Sequence, residues 1–530
     1  MDIPKLDFLW QYVEHWAKVD PACIALSFNA RKITYGQFEA YTDNLAKSFL
    51  KLGLQKGDTI VTMLPTSIEY IVALIAADKA GAIVTAMDVR YKAADLRRYI
   101  AHIQPKIMIT LGKAEDASIA ATLESVCRDL GVIDSIQFVS TGEGGLGYRF
   151  DELTAKVAGL GSELKKAKAE QHLDDGLLIV FTGGTTGVPK AALLSKQNVT
   201  AMAAIEAEYM NRYIPPRSKA IASLPPSHVG GTVEIIGSAI CGGYEIIVHE
   251  SWSPTRVLQT TQAEKLPYMG GVPTMFAIML LMPDLEKYDL SSLKLAIMSG
   301  EKVELDLLNL IKKKICPYIV IGYGSTEGGS EVTLTEVGDS LEELANGYVG
   351  KVLPGVEIKI VDENDRALPP GEIGEVLVRG SFTIKGYFKM PEEDRVGFTA
   401  DGFCRTGDLG YMTPDNGLYI KGRKKHIIRV GGYTVMPAEV EEVVVQVPGV
   451  GVCAVIGVPD KVLGEVVWAV VQPIPGQTVT EEQIIAKCKQ ELASFKVPRK
   501  VLFKSDMPLT RIGKVHRVEL QKEVIASLQA

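Results

Sequence analysis

Residues 181–190 read FTGGTTGVPK, and the fold is decided by what this decapeptide follows. Residues 177–181, LLIVF, are a continuous apolar run, the pattern of a strand buried on both faces. A strand that runs into a glycine-rich turn puts that turn at the carboxyl edge of a sheet, where α/β folds bind ligands. Gly183 and Gly184 let the backbone approach a ligand and adopt positive φ. Thr182, Thr185 and Thr186 add hydroxyls, and Lys190 adds a charge. Consecutive N–H groups in such a turn suit phosphate oxygens. The segment is not the GxxxxGK[ST] phosphate loop: Pro189 precedes the lysine, and Ala191 stands where a magnesium-binding hydroxyl would be. Taken alone, the decapeptide is also compatible with a tight surface turn.

Working outward, short β-rich runs alternate with helical patterns. Residues 58–64 (DTIVTML), 82–86 and 106–110 (KIMIT) read as strands, and 68–79 as a helix between the first two. This alternation predicts α/β layering with substantially parallel sheets. Residues 356–361 and 375–378 alternate apolar and polar side chains, which predicts a smaller, half-exposed β unit. Composition shifts after Tyr419, where 422–433 (GRKKHIIRVGGY) is basic and glycine-rich. Beyond it come a helix (438–446), two strands (450–458 and 465–472) and a second helix. Thr480 and Gln483 form a capping box for that helix, which runs to Leu492. The expected architecture is α/β: a large N-terminal domain of layered α/β sheets plus a small β unit, residues 1–424, and a small mobile α+β C-terminal domain, residues 425–530.

The chain has 530 residues, more than one core of about 250–300 residues holds. Hydrophobic residues make up 47% and charged residues 23%, with a net charge of −7 and no block of like charges. That excludes the basic footprint of a nucleic-acid binder. Seven scattered cysteines form no C-x-x-C pair, so free thiols in a reducing cytoplasm are expected rather than a disulfide framework. No HExxH or Cys/His zinc spacing is present. Acids at Asp2, Asp7 and Glu14 break up a signal-peptide core. Asp78 and Lys79 interrupt the greasy run 70–87, and Glu234 interrupts 232–249. Both are shorter than the about 20 apolar residues of a spanning helix, so buried core elements are expected.

FTGGTTGVPK resembles the signature loop of the adenylate-forming superfamily, which holds acyl- and aryl-CoA synthetases, firefly luciferase and peptide-synthetase adenylation domains. Gly183 stands where that loop commonly has serine, and Ala191 where it ends in glycine. Further segments resemble the same family in the same order. YGSTE (323–327) implies Tyr323 on adenine, Gly324 in the turn, Thr326 on the α-phosphate and Glu327 on magnesium. SGEK (299–302) implies that Gly300, Glu301 and Lys302 line adenine through their main chain. TGDLG (406–410) implies Asp408 on the ribose hydroxyls, joined by Arg423. Lys425 takes the place of the hinge. RVGGYTVMPAE (429–439) implies Gly431, Gly432 and Tyr433 beside the pantetheine of coenzyme A. PLTRIGKVHR (508–517) implies Lys514 as the adenylation lysine.

LPPSHVGG (224–231) resembles the segment in which a histidine borders the acyl pocket, so His228 is a pocket candidate, with Val229, Gly230, Ser299, Gly322 and Gly329. Small residues there leave room for a bulky ring or longer chain, unless the glycines serve backbone turns. No aspartate for an α-ammonium occurs in this segment, which favours an acid without an amine. The resemblance covers nearly the whole chain and implies an AMP-forming acyl-CoA synthetase acting on a hydrophobic carboxylic acid (fatty, aromatic or alicyclic) with ATP, Mg2+ and coenzyme A. A homodimer is allowed. A free-standing adenylation enzyme that loads a carrier-protein thiol would share every motif. An inactive nucleotide-binding homologue would have no use for Lys514.

Overall fold

The computed structural model describes residues 3–182, 189–430, 433–460, 463–492, 494–509 and 515–529. Two compact units are present. One comprises residues 1–358 and 377–406, the other 359–376 and 407–530. The segment 425–530 that the sequence sets apart lies wholly within the second unit, which also takes 359–376 and 407–424.

The first unit is built as its alternating pattern predicts. A seven-stranded sheet has the order Tyr148–Arg149, Gln137–Thr141, Ile107–Leu111, Thr59–Met63, Ile83–Ala86, Gly176–Thr182, Lys190–Ser195. All neighbours are parallel except the last pair. Val61, Met108 and Ile179 from its strands pack against Leu96, Ile100 and Leu123 from flanking helices. A four-stranded sheet in the order Lys219–Ala222, Glu245–Val248, Ile24–Phe28, Arg31–Thr34 lies in the same unit.

The greasy run that opens at Tyr70 is explained by its two charges. Helix Ile68–Ala80 is capped by the Ser67 hydroxyl and ended by Gly81 at φ 79°, and every residue in it but Glu69 is buried. A helix buried on all sides is hydrophobic all round. Asp78 pairs with Lys196 with both side chains fully buried, and the Asp78 carboxylate also accepts from the Trp10 N–H at 3.0 Å. Lys79 reaches Glu39 at 2.7 Å and Asp43 at 2.8 Å. Buried charges persist because each is paired.

A third set of strands runs Tyr268–Gly271, Leu295–Ser299, Ile319–Ser325, Ser330–Leu334, Tyr348–Val352. The first three are parallel, and the chain then reverses into Ser330–Leu334.

The second unit contains a hairpin formed by Cys404–Met412 and Gly417–Arg423, and a five-stranded sheet. In that sheet Val450–Asp460 and Gly464–Pro473 form a long antiparallel pair. Side chains alternate across the strand. Ala454, Ile456 and Val458 face Leu520 and Val524 of helix Arg517–Gln529. Val455 and Val467 lie on the other face with Val440 of helix Pro437–Val444 and Ile484 of helix Glu481–Glu491. The predicted Thr480–Gln483 capping box is formed. All seven cysteines are free, as expected. Among the described residues no helix is long and apolar enough to cross a membrane.

Candidate functional site

The decapeptide connects two antiparallel strands, and Thr182 sits directly opposite Lys190. Gly183, Gly184, Thr185 and Thr186 lie outside the described residues. Thr182 and Lys190 therefore mark the mouth of the loop. The Thr182 hydroxyl donates to Glu327 Oε1 at 3.0 Å, and the Tyr387 hydroxyl donates to the same oxygen at 3.2 Å. Burial, reinforced by the Glu327 charge, pushes the Tyr387 phenol up, so it remains a donor. Lys190 Nζ is 2.6 Å from Glu393 Oε2 and 5.1 Å above the Tyr387 ring, a paired cation over an aromatic face. Tyr387 and Glu393 were not singled out from the sequence. They sit in GYFKMPEE (386–393), which carries no spacing that ties them to a loop two hundred residues earlier. The bridge between Ala192 and Tyr387 brings the segments together.

The strand ends assemble the second group. Ser299 pairs with Gly322 in parallel register, which sets SGEK and YGSTE side by side at the carboxyl edge of these strands, where ligands bind in open α/β sheets. Tyr323 lies opposite Thr333, and Gly324 opposite Glu331. Gly300 has φ 87°. The Thr274 hydroxyl donates to Glu301 Oε2 at 3.1 Å, and Lys302 lies 3.9 Å from Glu304. Thr326 is buried, and its carbonyl accepts from Gly329 N–H at 3.1 Å. Glu327 is the residue here that could hold a hard cation: its Oε1 takes both hydroxyl donors, and carboxylate oxygen is what magnesium prefers.

The glycines among the acyl-pocket candidates have local causes. Gly329 adopts φ +85°, and a Cβ there would lie 1.8 Å from the Phe382 carbonyl oxygen. A Cβ on Gly322 would lie 2.6 Å from Cγ of Glu331, so the space at Gly322 is filled by that side chain. His228 is exposed and Val229 buried. His228 Nδ1 accepts from the Gly230 N–H at 3.1 Å, which leaves Nε2 to carry the proton in the neutral ring. Gly230 opens a π-helix, Gly230–Gly237, a feature often found at functional sites. Next to it is a small pocket of about 20 Å3, room for about one water, lined by Ile221, Ile235, Tyr268, Phe276 and Met279.

In the second unit, Asp408 and Arg423 stand opposite each other across the hairpin. Asp408 Oδ1 is 2.7 Å from Arg423 Nε, with the carboxylate almost fully buried and the arginine half-exposed. The next residue, Lys424, is 2.7 Å from the buried Glu375. Lys425 lies in a short 3-10 turn, Lys424–His426. Tyr433 pairs with Val430 across a short hairpin. Gly431, Gly432 and Lys514 lie outside the described residues. Leu509 and Val515, which flank the lysine loop, form an antiparallel bridge.

The chain matches the model of the AMP-binding enzyme family over residues 13–388 and that of the AMP-binding enzyme C-terminal domain over residues 439–514. It is 30% identical to a long-chain-fatty-acid–CoA ligase of Bacillus subtilis (strain 168), over 95% of this chain and 92% of the relative. It is 28% identical to 4-coumarate–CoA ligase 1 of Petroselinum crispum, over 96% of this chain and 93% of the relative. The structure of ATP-bound MatB from Rhodopseudomonas palustris superposes with a TM-score of 0.84 at 28% identity, covering 97% of this chain and 99% of that one.

Proposed function

The chain belongs to the AMP-binding enzyme family, the adenylate-forming enzymes, and from that premise we propose that it is an AMP-forming acid–coenzyme A ligase whose substrate is a small carboxylic acid with a largely apolar body. The observation that carries the reading is the knot in which Thr182, at the mouth of the glycine-rich loop, and Tyr387 both donate to Glu327. It ties the loop suited to phosphates to the carboxylate suited to their counter-ion. The CoA-ligase names of relatives that match this chain over nearly its full length support the same reading.

A carboxylate is a poor electrophile for a thiol, and a mixed anhydride with AMP supplies a good leaving group. In the first step a carboxylate oxygen of the acid attacks the α-phosphorus of ATP, and the bond to pyrophosphate breaks. Positioning and charge stabilisation dominate such a step. We assign Lys190 and the 182–186 hydroxyls to the phosphates, Thr326 to the α-phosphate, Tyr323 to adenine, with Gly300, Glu301 and Lys302 along it, and Asp408 with Arg423 to the ribose. Lys514 stabilises the charge gathering on the carboxylate and phosphate oxygens. Glu327 would hold magnesium, which neutralises phosphate charge when bound. In the second step the thiolate of coenzyme A attacks the acyl carbon, and AMP leaves with the electron pair of the broken C–O bond. Gly431, Gly432 and Tyr433 border the pantetheine arm, and His228 borders the acyl group.

The test is incubation of the protein with ATP, Mg2+, coenzyme A and a panel of acids, with AMP and acyl-CoA followed by mass spectrometry. AMP and acyl-CoA rising together for one group of acids is the expected result. Acyl-AMP accumulating without thioester would transfer the reading to a carrier-protein acceptor, and no AMP with any acid would overturn it.

A further inference from the structure

Three glutamates from three separate elements meet inside the first unit. Glu206 comes from helix Lys196–Met210, Glu234 from the π-helix and Glu331 from strand Ser330–Leu334. One carboxylate oxygen of each lies within 4.8 Å of the others. Glu331 is 1% exposed and Glu206 8%, and no lysine or arginine neutralises any of the three among the described ion pairs. Their hydrogen bonds are incomplete. The Ser330 hydroxyl donates to Glu234 Oε1. Glu206 Oε2 and Glu331 Oε2 are buried with no partner. Burial, with the Glu331 charge behind it, pushes the Glu234 carboxyl up to about 8, and Glu206 and Glu331 are also raised. Like carboxylates crowded out of water cannot all ionise.

The cluster sits among the residues assigned to the acyl pocket. A Cβ on Gly230 would lie 3.3 Å from Glu234 Oε2 and 3.3 Å from His228 Nδ1. Glu331 fills the space over Gly322, the strand partner of Ser299. Ile235, next to Glu234, and Tyr268, whose phenol feels the Glu206 charge, line the small pocket beside the π-helix. A purely apolar acid would leave two buried carboxyl oxygens unpaired beside it, and unpaired buried polar groups are costly. A nitrogen cation would satisfy them. Oxygens up to 4.8 Å apart suit one ammonium making charged hydrogen bonds of about 2.8 Å to each.

We propose that the acid activated by this chain carries an alkylammonium group, held by Glu206, Glu234 and Glu331, with its methylenes beside Ile235 and Tyr268. The proposal rests on the acid-ligase reading above and departs from the expectation drawn from residues 224–231. That segment lacks an aspartate, but Glu234 follows three residues later, and its two partners come from positions 206 and 331.

The experiment is ATP–pyrophosphate exchange with the full chain, comparing ω-amino acids of increasing length with amine-free acids of the same length. It is run on the wild type and on Glu331→Gln and Glu234→Gln. Calorimetric titration with n-pentylammonium chloride and, separately, magnesium chloride in the absence of ATP accompanies it. The expected result is a preference for one amino acid of about tenfold or more, the worth of a charged hydrogen bond, lost in Glu331→Gln. Pentylammonium binding is lost with it. Thermal melting checks the fold of the variants, and removing one of three crowded carboxylates should leave melting unchanged or raise it. Exchange driven best by amine-free acids, with a ratio that Glu331→Gln does not change, would overturn the proposal and leave the acid-ligase reading standing. Pentylammonium binding sensitive to Glu331→Gln without exchange by any acid would keep the cation site and overturn the ligase reading. Magnesium binding that disappears in Glu331→Gln, with no pentylammonium binding, would make this a metal site and overturn the ammonium assignment.

Discussion

At the residue scale, side chains of one type have opposite fates according to their partners. The Asp408 carboxylate is buried against Arg423, whereas Glu234 is buried against Glu331 and is pushed up to about 8. The second case has a pH signature. A carboxyl raised from 4.5 to about 8 keeps its proton in the folded chain after the unfolded chain has lost it. Between those values the folded state binds more protons, so stability falls as pH rises through the window. Melting temperature of the free enzyme should drop between those limits, and Glu234→Gln should flatten part of the drop. An unchanged slope would remove Glu234 from that account. The groups facing it are Glu206, Glu331, Ser330 and His228. Lys514 is assigned from its motif alone and lies outside the described residues. Lys514→Ala should lower adenylation by about 100-fold or more, the scale of losing one transition-state donor, yet convert supplied acyl-AMP to thioester at nearly the wild-type rate. Equal loss of both half-reactions would refute that division of work.

At the scale of elements, periodicity did most of the prediction. The strand at 177–181 is observed as Gly176–Thr182, and the helix at 68–79 as Ile68–Ala80. Runs bounded by caps and glycines leave little choice of period. The π-helix Gly230–Gly237 had no such signal, because its extra residue per turn depends on packing rather than on composition. What joins elements was also hidden. Lys196 stands at the first position of helix Lys196–Met210, where the helix dipole disfavours a cation, and Asp78 from another buried helix neutralises it. Asp78→Asn leaves that lysine buried and unpaired, and should cost about 3–5 kcal/mol in urea unfolding. Replacing both, Asp78→Leu with Lys196→Met, should restore most of it. A single variant as stable as the wild type would show that the pair holds nothing together.

At the scale of the molecule, the chain makes two compact units that are not consecutive in sequence. The two catalytic steps need different neighbours around one acyl carbon, and a hinge at Lys425 is our account of how both are supplied. Lys425→Pro should leave pyrophosphate exchange within about twofold and slow thioester formation by about tenfold or more. Unchanged overall turnover would count against a hinge there. By itself the sequence determined the family, the α/β layering and the order of the motifs, and it nominated Thr182, Glu327, Asp408, Arg423 and Lys514, because short motifs and local periods are written in neighbouring residues. Only the tertiary structure decided that Tyr387 and Glu393 serve the glycine-rich loop, that Gly322 makes room for a glutamate rather than for a ligand, and that Glu206, Glu234 and Glu331 share one buried space. Most of those pairings join residues about 100–200 positions apart, and burial of charge is a property of the packed core, which sequence spacing does not encode.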